Sequence, residues 1–158
     1  MFLVKNKTTL TTAQVLKTLL LSATLIGVSA HSALAKNSDT PIRFAKGALS
    51  STVTGQLKPN ENERWYRFDA SSRQYAIINI APLTGTPETA NVGVLHMPNG
   101  TQDGTKGGII YQGCLPATGK YRLRIARNLM ATQGRTAGYS VEVIVLPKYA
   151  SESLCEYL

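Results

Sequence analysis

From Ile42 onward the sequence is interrupted every 8 to 14 residues by glycine, proline, asparagine or aspartate, and between the interruptions apolar and polar residues alternate. A period of two puts successive side chains on opposite faces of an extended chain, so each segment reads as a strand with one buried face. Tyr66 and Phe68 alternate with Arg67 and Asp69, and Ala76, Ile78 and Ile80 with Ile77 and Asn79. Further on, Tyr121, Leu123 and Ile125 are separated by Arg122 and Arg124, and Tyr139, Val141, Val143 and Val145 by Ser140, Glu142 and Ile144. The pattern predicts strands near 42–45, 50–57, 64–70, 74–81, 91–97, 109–113, 120–126 and 138–146, the last two adjacent and antiparallel. Turns fall at Lys58-Pro59-Asn60, Ser71-Ser72-Arg73 and Pro98-Asn99-Gly100, and Arg127–Gly134 reads as the loop joining the last two strands. No segment reads as a long helix. The expected fold is all-β: a single antiparallel β-sandwich of about eight strands, jelly-roll or immunoglobulin-like.

Ahead of this domain, Lys5, Lys7 and Lys17 precede an apolar run from Thr18 to Ala30 and then Ala33-Leu34-Ala35, the small-x-small pattern of signal-peptidase cleavage. Residues 1–35 are predicted to be a signal peptide cut between Ala35 and Lys36; a cut after Ala30 also satisfies the small-residue requirement. The alternative is a membrane anchor, but the apolar run of 13 residues is short of the ~20 a spanning helix needs. The predicted organisation is then a polar leader over 36–40, the sandwich over 41–147 and a C-terminal extension over 148–158. Export places the domain in the periplasm or the medium. In such an oxidising compartment Cys114 and Cys155 are predicted to pair. That bond would tie the extension to the segment before the penultimate strand, with a ceiling of roughly 4 kcal/mol from loop closure. Two free thiols are the other reading.

Without its three leader lysines the chain carries 14 Lys+Arg against 9 Asp+Glu. The basic excess favours an acidic partner, and the absence of a recognition-helix pattern argues against nucleic acid. Enzymatic roles find little support. The mature chain has one histidine, His96, in phase with Val92 and Val94 on a predicted strand, which reads as structural. There is no nucleophile elbow, no H-E-x-x-H pair and no cysteine–histidine cluster, so neither a metal nor another cofactor is expected. The carboxylate pairs Glu61/Glu63 and Glu152/Glu156 sit in polar surroundings where nothing would raise a carboxyl pKa for acid catalysis. Leu115-Pro116-Ala117-Thr118-Gly119 matches a wall-sorting string, but no apolar span and basic tail follow it, and it reads as a turn launching the next strand. Asn99-Gly100-Thr101, formally a glycosylation acceptor, reads as a hairpin turn.

The most informative cluster is basic. Lys120, Arg122, Arg124, Arg127 and Arg135 fall within sixteen residues that contain no acid. A solvated strand face is one reading; the other is recognition, because Arg127-Asn128 and Arg135 fall in a loop held by strands, where arginine forks suit capture of carboxylates.

The chain resembles the bacterial pre-peptidase C-terminal type of β-sandwich through R-F-A-K-G-A-L-S-S-T-V-T-G-Q-L (43–57), W-Y-R-F-D-A (65–70) and C-L-P-A-T-G-K-Y-R-L-R-I (114–125). Within that group it is similar to the periplasmic inhibitors of goose-type (g-type) lysozyme, because the penultimate strand leads into R-N-L-M-A-T-Q-G-R-T-A-G-Y-S-V (127–141), where Arg127, Asn128, Ala131, Arg135 and Tyr139 match. The resemblance implies a non-catalytic protein whose basic loops enter the acidic active-site cleft of g-type lysozyme. Direct contact then falls to Arg127, Asn128 and Arg135, with Arg122 and Arg124 adding to the field. The chain departs from the family pattern in its shorter loop, in Arg73 where a glycine usually precedes the glutamine, and in its cysteine-containing tail. A second class of function is a glycan- or peptidoglycan-binding or accessory module, with Trp65 and Tyr75, out of phase with the core, as stacking candidates unless the N-terminal segment covers them.

Overall fold

The computed structural model describes residues 39–156. The signal peptide, its cleavage at Ala35–Lys36 and most of the leader lie outside the described residues. Two sheets face each other. One has the order β1 (Thr40–Pro41), β3 (Glu63–Ala70), β9 (Gly119–Ala126), β6 (Val92–His96), β7 (Gln102–Lys106), and the other β2 (Ser50–Leu57), β10 (Ala137–Val145), β4 (Tyr75–Ala81), β8 (Gly108–Cys114), with β5 (Glu88–Thr89) beside the start of β10. Pairing is antiparallel except for the two-residue strands β1 and β5. The expected all-β sandwich is what the chain forms.

The alternation read from the sequence is the alternation of burial. Tyr66, Phe68, Tyr121, Leu123, Ile125 and Leu95 point inward from the first sheet, and Leu57, Ala76, Ile78, Ile80, Tyr139, Val141 and Val143 from the second. Each buried large apolar side chain is worth about 1.5–3 kcal/mol, so this shared interior drives the two sheets together. Phe68 stacks on Tyr121, their ring centres 5.4 Å apart. The Tyr66 and Tyr139 hydroxyls meet across the core at 2.6 Å, which satisfies both polar groups at depth. Burial and that hydrogen bond push the Tyr139 hydroxyl pKa up. Close approach also demands glycine at position 93: a Cβ there would stand 2.3 Å from Ile110 Cδ1 of the facing sheet.

Two expectations need correction, and one strand was not foreseen. Strands 120–126 and 138–146 are not neighbours. β9 pairs with β3 and β6, whereas β10 pairs with β2 and β4 in the other sheet. Both strands are buried on their apolar faces and flanked on both edges, so the 127–136 connection crosses between sheets instead of closing a hairpin. The strand expected at 42–45 is replaced by β1 at Thr40–Pro41, after which the chain leaves the edge of β3. Only the Ile42 N–H still donates to the Arg67 carbonyl, at 2.8 Å. β7, an exposed edge strand of sequence QDGTK, carries no apolar alternation and was invisible to a periodicity reading.

The C-terminal extension forms one helical turn, α1 (Lys148–Ser151), followed by a 3₁₀ turn over Glu152–Leu154. The Cys114–Cys155 disulfide fastens it to the end of β8, with the Cα atoms 5.7 Å apart.

Candidate functional site

The four arginines of the basic cluster divide between the outer face of β9 and the inter-sheet loop. Arg122 and Arg124 lie on the outer face of β9, and each meets a carboxylate supplied by a remote segment. Arg122 binds Asp39 through Nε at 2.5 Å and through its second amino group at 2.9 Å, and Arg124 lies 3.2 Å from Glu63. The Arg122 hydrogen bond holds the Asp39 carboxyl below its usual range. Arg122 also stacks over Trp65, 4.3 Å from the ring centre, and the His96 ring lies 4.9 Å from Trp65 on the same face. Trp65 is therefore covered and donates its Nε1–H to Glu63 at 2.8 Å; it is no open platform for a sugar. Tyr75 is half-buried, its hydroxyl accepting a hydrogen bond from Gln112. His96 shares its outward phase with Val92 and Val94, while Leu95 faces the core. Burial lowers the imidazole pKa, with Arg124 and Arg122 pushing the same way.

Arg127 and Arg135 belong to the inter-sheet loop and could hardly differ more. The Arg127 side chain is 2% exposed and enters the protein beneath the loop. Its Nε donates to the Glu61 carbonyl at 2.8 Å, one amino group to the Leu57 carbonyl at 2.6 Å and to the Lys58 carbonyl, and the other to the Arg135 carbonyl and to Glu88 at 3.3 Å. One guanidinium thus ties the β2–β3 turn, β5 and the far end of its own loop. The expectation that Arg127 itself is presented to a partner is corrected by this burial: every donor of the fork is engaged inside the protein. Glu88, also buried, receives the Gln133 N–H at 2.8 Å and the Arg135 guanidinium at 3.5 Å. Burial pushes its carboxyl up, but the backbone donors of Gln133 and Arg135 and the Arg135 side chain pull it further down, so it stays ionised.

Above this buried pair the loop projects. Asn128 organises it: its side chain accepts the Met130 N–H at 3.3 Å, and its carbonyl accepts the Ala131 N–H at 2.9 Å and the Thr132 hydroxyl at 3.1 Å. At the tip, Leu129 is 68% and Met130 95% exposed, and Arg135 follows at 61% side-chain exposure. Leu129 and Met130 were not singled out in the sequence, although two adjacent large apolar residues inside a polar loop are a readable sign of an interaction tip. The surface on offer is a clamped loop with an apolar point and one arginine beside it.

The remaining candidates fall into structural roles. Glu61 accepts the Lys58 N–H at 3.0 Å and pairs with Arg64 at 3.0 Å, and its carboxyl is lowered, opposite to what a general acid needs. The turn at Ala117–Gly119 is closed by the Tyr121 hydroxyl, which donates to the Ala117 carbonyl at 2.6 Å, as the turn reading expected. Asn99 Oδ1 accepts the Thr101 N–H at 3.1 Å, closing the β6–β7 hairpin. Among the described residues, no three His, Cys, Asp or Glu side chains gather as metal ligands.

Fold and surface together define an all-β sandwich whose clamped inter-sheet loop carries an exposed apolar pair and an exposed arginine. No family model and no curated protein matches this sequence. Among solved structures, the chain is similar to the Aeromonas hydrophila PliG, a periplasmic lysozyme inhibitor of g-type lysozyme, at TM-score 0.53 and 23% identity over 69% of this chain and 96% of that one. It is similar also to the Salmonella Typhimurium PliG, at TM-score 0.52 and 24% identity over 69% and 98% of the two chains, and to a mutant of the Escherichia coli inhibitor, at 0.51 and 24% over 68% and 97%. At these identities the likeness establishes a shared fold, the one the sequence resemblance implied.

Proposed function

We propose that the protein is an exported, non-catalytic inhibitor of g-type lysozyme, and that it acts by placing the 128–135 loop in the enzyme's acidic active-site cleft. The observation that carries this reading is the division of labour in the loop. Arg127 and Glu88 hold its base inside the protein, which lowers the entropy lost on binding, while Leu129, Met130 and Arg135 are left for a partner. Methionine and arginine are enriched in protein interfaces, and an exposed apolar pair marks an interaction surface. The likeness to PliG structures supports the same reading at the level of the scaffold. Asn128 serves as the residue that shapes the tip. Arg122 and Arg124, each beside its own carboxylate, add little field, whereas Lys120 has no ion pair among the described residues and adds more. The compartment is the periplasm, reached by removal of residues 1–35.

The test is lysis of peptidoglycan-bearing cells by goose-type and chicken-type lysozymes, each titrated with the protein and with a Leu129→Ala/Met130→Ala variant. Selective protection against the goose-type enzyme, lost in the variant, supports the reading. Equal inhibition by protein and variant rejects the loop as the contact, and no inhibition of either enzyme rejects the function.

A further inference from the structure

Away from the loop, the Ser71–Gln74 turn and the C-terminal extension flank an open cavity of about 310 Å³ lined by Ser72, Arg73, Lys148, Tyr149, Glu152 and Cys155. Arg73 has φ 63°, a left-handed conformation that costs any residue with a Cβ, and no other non-glycine residue among those described adopts a positive φ. It is the third residue of a turn closed by the Gln74 N–H on the Ser71 carbonyl at 3.3 Å, where glycine would sit without penalty. Inside the protein the side chain gains nothing in return: it is exposed and makes no ion pair among the described residues. Lys148 is a second cation in the same position, and Tyr149, 81% exposed, offers an uncovered ring at the same cavity.

The wall that carries them is firmly built. Ser151 is fully buried, accepting the Tyr75 N–H at 2.8 Å and donating to the Pro147 carbonyl at 3.0 Å. Gln74 reaches from the turn to the Leu146 carbonyl at 2.9 Å, and Cys155 is buried and bonded to Cys114. Turn and extension are therefore fixed to one another, as a preformed site requires.

We propose that this cavity binds a saccharide bearing a carboxylate. Arg73 and Lys148 receive the carboxylate, the Tyr149 ring stacks on a sugar face, and Ser72 and Glu152 bond its hydroxyls. Two cations against one carboxylate leave room for a single negative charge; Glu152 repels a dianionic phosphate but accepts from sugar hydroxyls. The site shares no residue with the 128–135 loop and stands or falls independently of the inhibitor reading.

Heteronuclear NMR titration of the exported protein tests it, with N-acetylmuramic acid and glucuronic acid as probes and N-acetylglucosamine and glucose as their neutral counterparts. Saturable shifts at Ser72, Arg73, Tyr149 and Glu152 are expected with at least one acid, with about tenfold weaker binding of its neutral counterpart. The first acid would indicate a wall glycan as the source and the second a uronate polymer. Arg73→Gly and Tyr149→Ala are each expected to weaken binding about tenfold, and Arg73→Gly to melt no earlier than the parent because the turn strain is relieved. The proposal is overturned if neither acid gives saturable shifts up to about 10 mM, if neutral and acidic sugars bind alike, or if Arg73→Gly binds as the parent does.

Discussion

Arg127 and Arg135 reach the same carboxylate, Glu88, one from inside the protein and one from its surface. At the root of the loop, the Arg127 fork is wholly spent on main-chain carbonyls and a buried acid; at the loop's far end, the Arg135 side chain stands mostly in water, and Leu129 and Met130 between the two are exposed. The same residue type is thus buried and fully bonded at one end of the loop and, in the proposed reading, offered to a partner at the other. Desolvation is what separates them, since a buried charge must be satisfied completely whereas an exposed one can exchange water for a partner.

The largest expected effect tests the root. Arg127→Ala removes a buried charge and leaves the Leu57, Lys58, Glu61 and Arg135 carbonyls without their side-chain donor, with Glu88 held by Arg135 and the Gln133 N–H alone, so urea unfolding should show a loss of about 3 kcal/mol. An unchanged midpoint would mean that the root is not a clamp. At the tip, Leu129→Ala/Met130→Ala should weaken inhibition of g-type lysozyme by about tenfold or more, with stability within about 0.5 kcal/mol of the parent. A large loss of stability instead would erase the contrast between root and tip. Arg135→Ala comes next: Glu88 keeps Arg127 and the Gln133 N–H, so stability should hardly move. Association should slow a few-fold at low salt, an effect that fades as ionic strength rises. Stopped-flow rates at two salt concentrations decide this.

The smallest effect concerns the outer face of the sheet where β6 lies beside β9, which serves as a reference region with no assigned contact. His96 is harder to protonate in the folded protein than its ordinary value of 6.5, so the unfolded chain binds the extra proton first. Its contribution is present above about pH 6.5 and is lost as the pH falls below it. His96→Gln should lose less stability than the parent between pH 7.5 and pH 5, measured as urea midpoints, with unchanged inhibition. A variant that lost inhibition would bring this face into the binding surface.

Much of the architecture was legible. Strands such as β3, β4, β9 and β10 announced themselves because a half-buried strand must alternate, and the Cys114–Cys155 link was expected from two cysteines in a chain read as exported. β7 escaped because an exposed edge needs no apolar residues, and the partners of β9 and β10 were misassigned because chain adjacency suggests a hairpin while two-sided pairing needs strands from elsewhere.

The site was legible as a place and not as a set of roles. A stretch from Lys120 to Arg135 without an acid looked like a free positive surface, yet Asp39, Glu63 and Glu88 come to it from segments 83, 61 and 39 residues away. Local composition dictates which faces can be buried, because alternation is written residue by residue. Which charges remain free is dictated by the pairing of distant segments, because a salt bridge depends on distance in space, and folding alone brings Glu88 beneath Arg127 while leaving Leu129, Met130 and Arg135 in water.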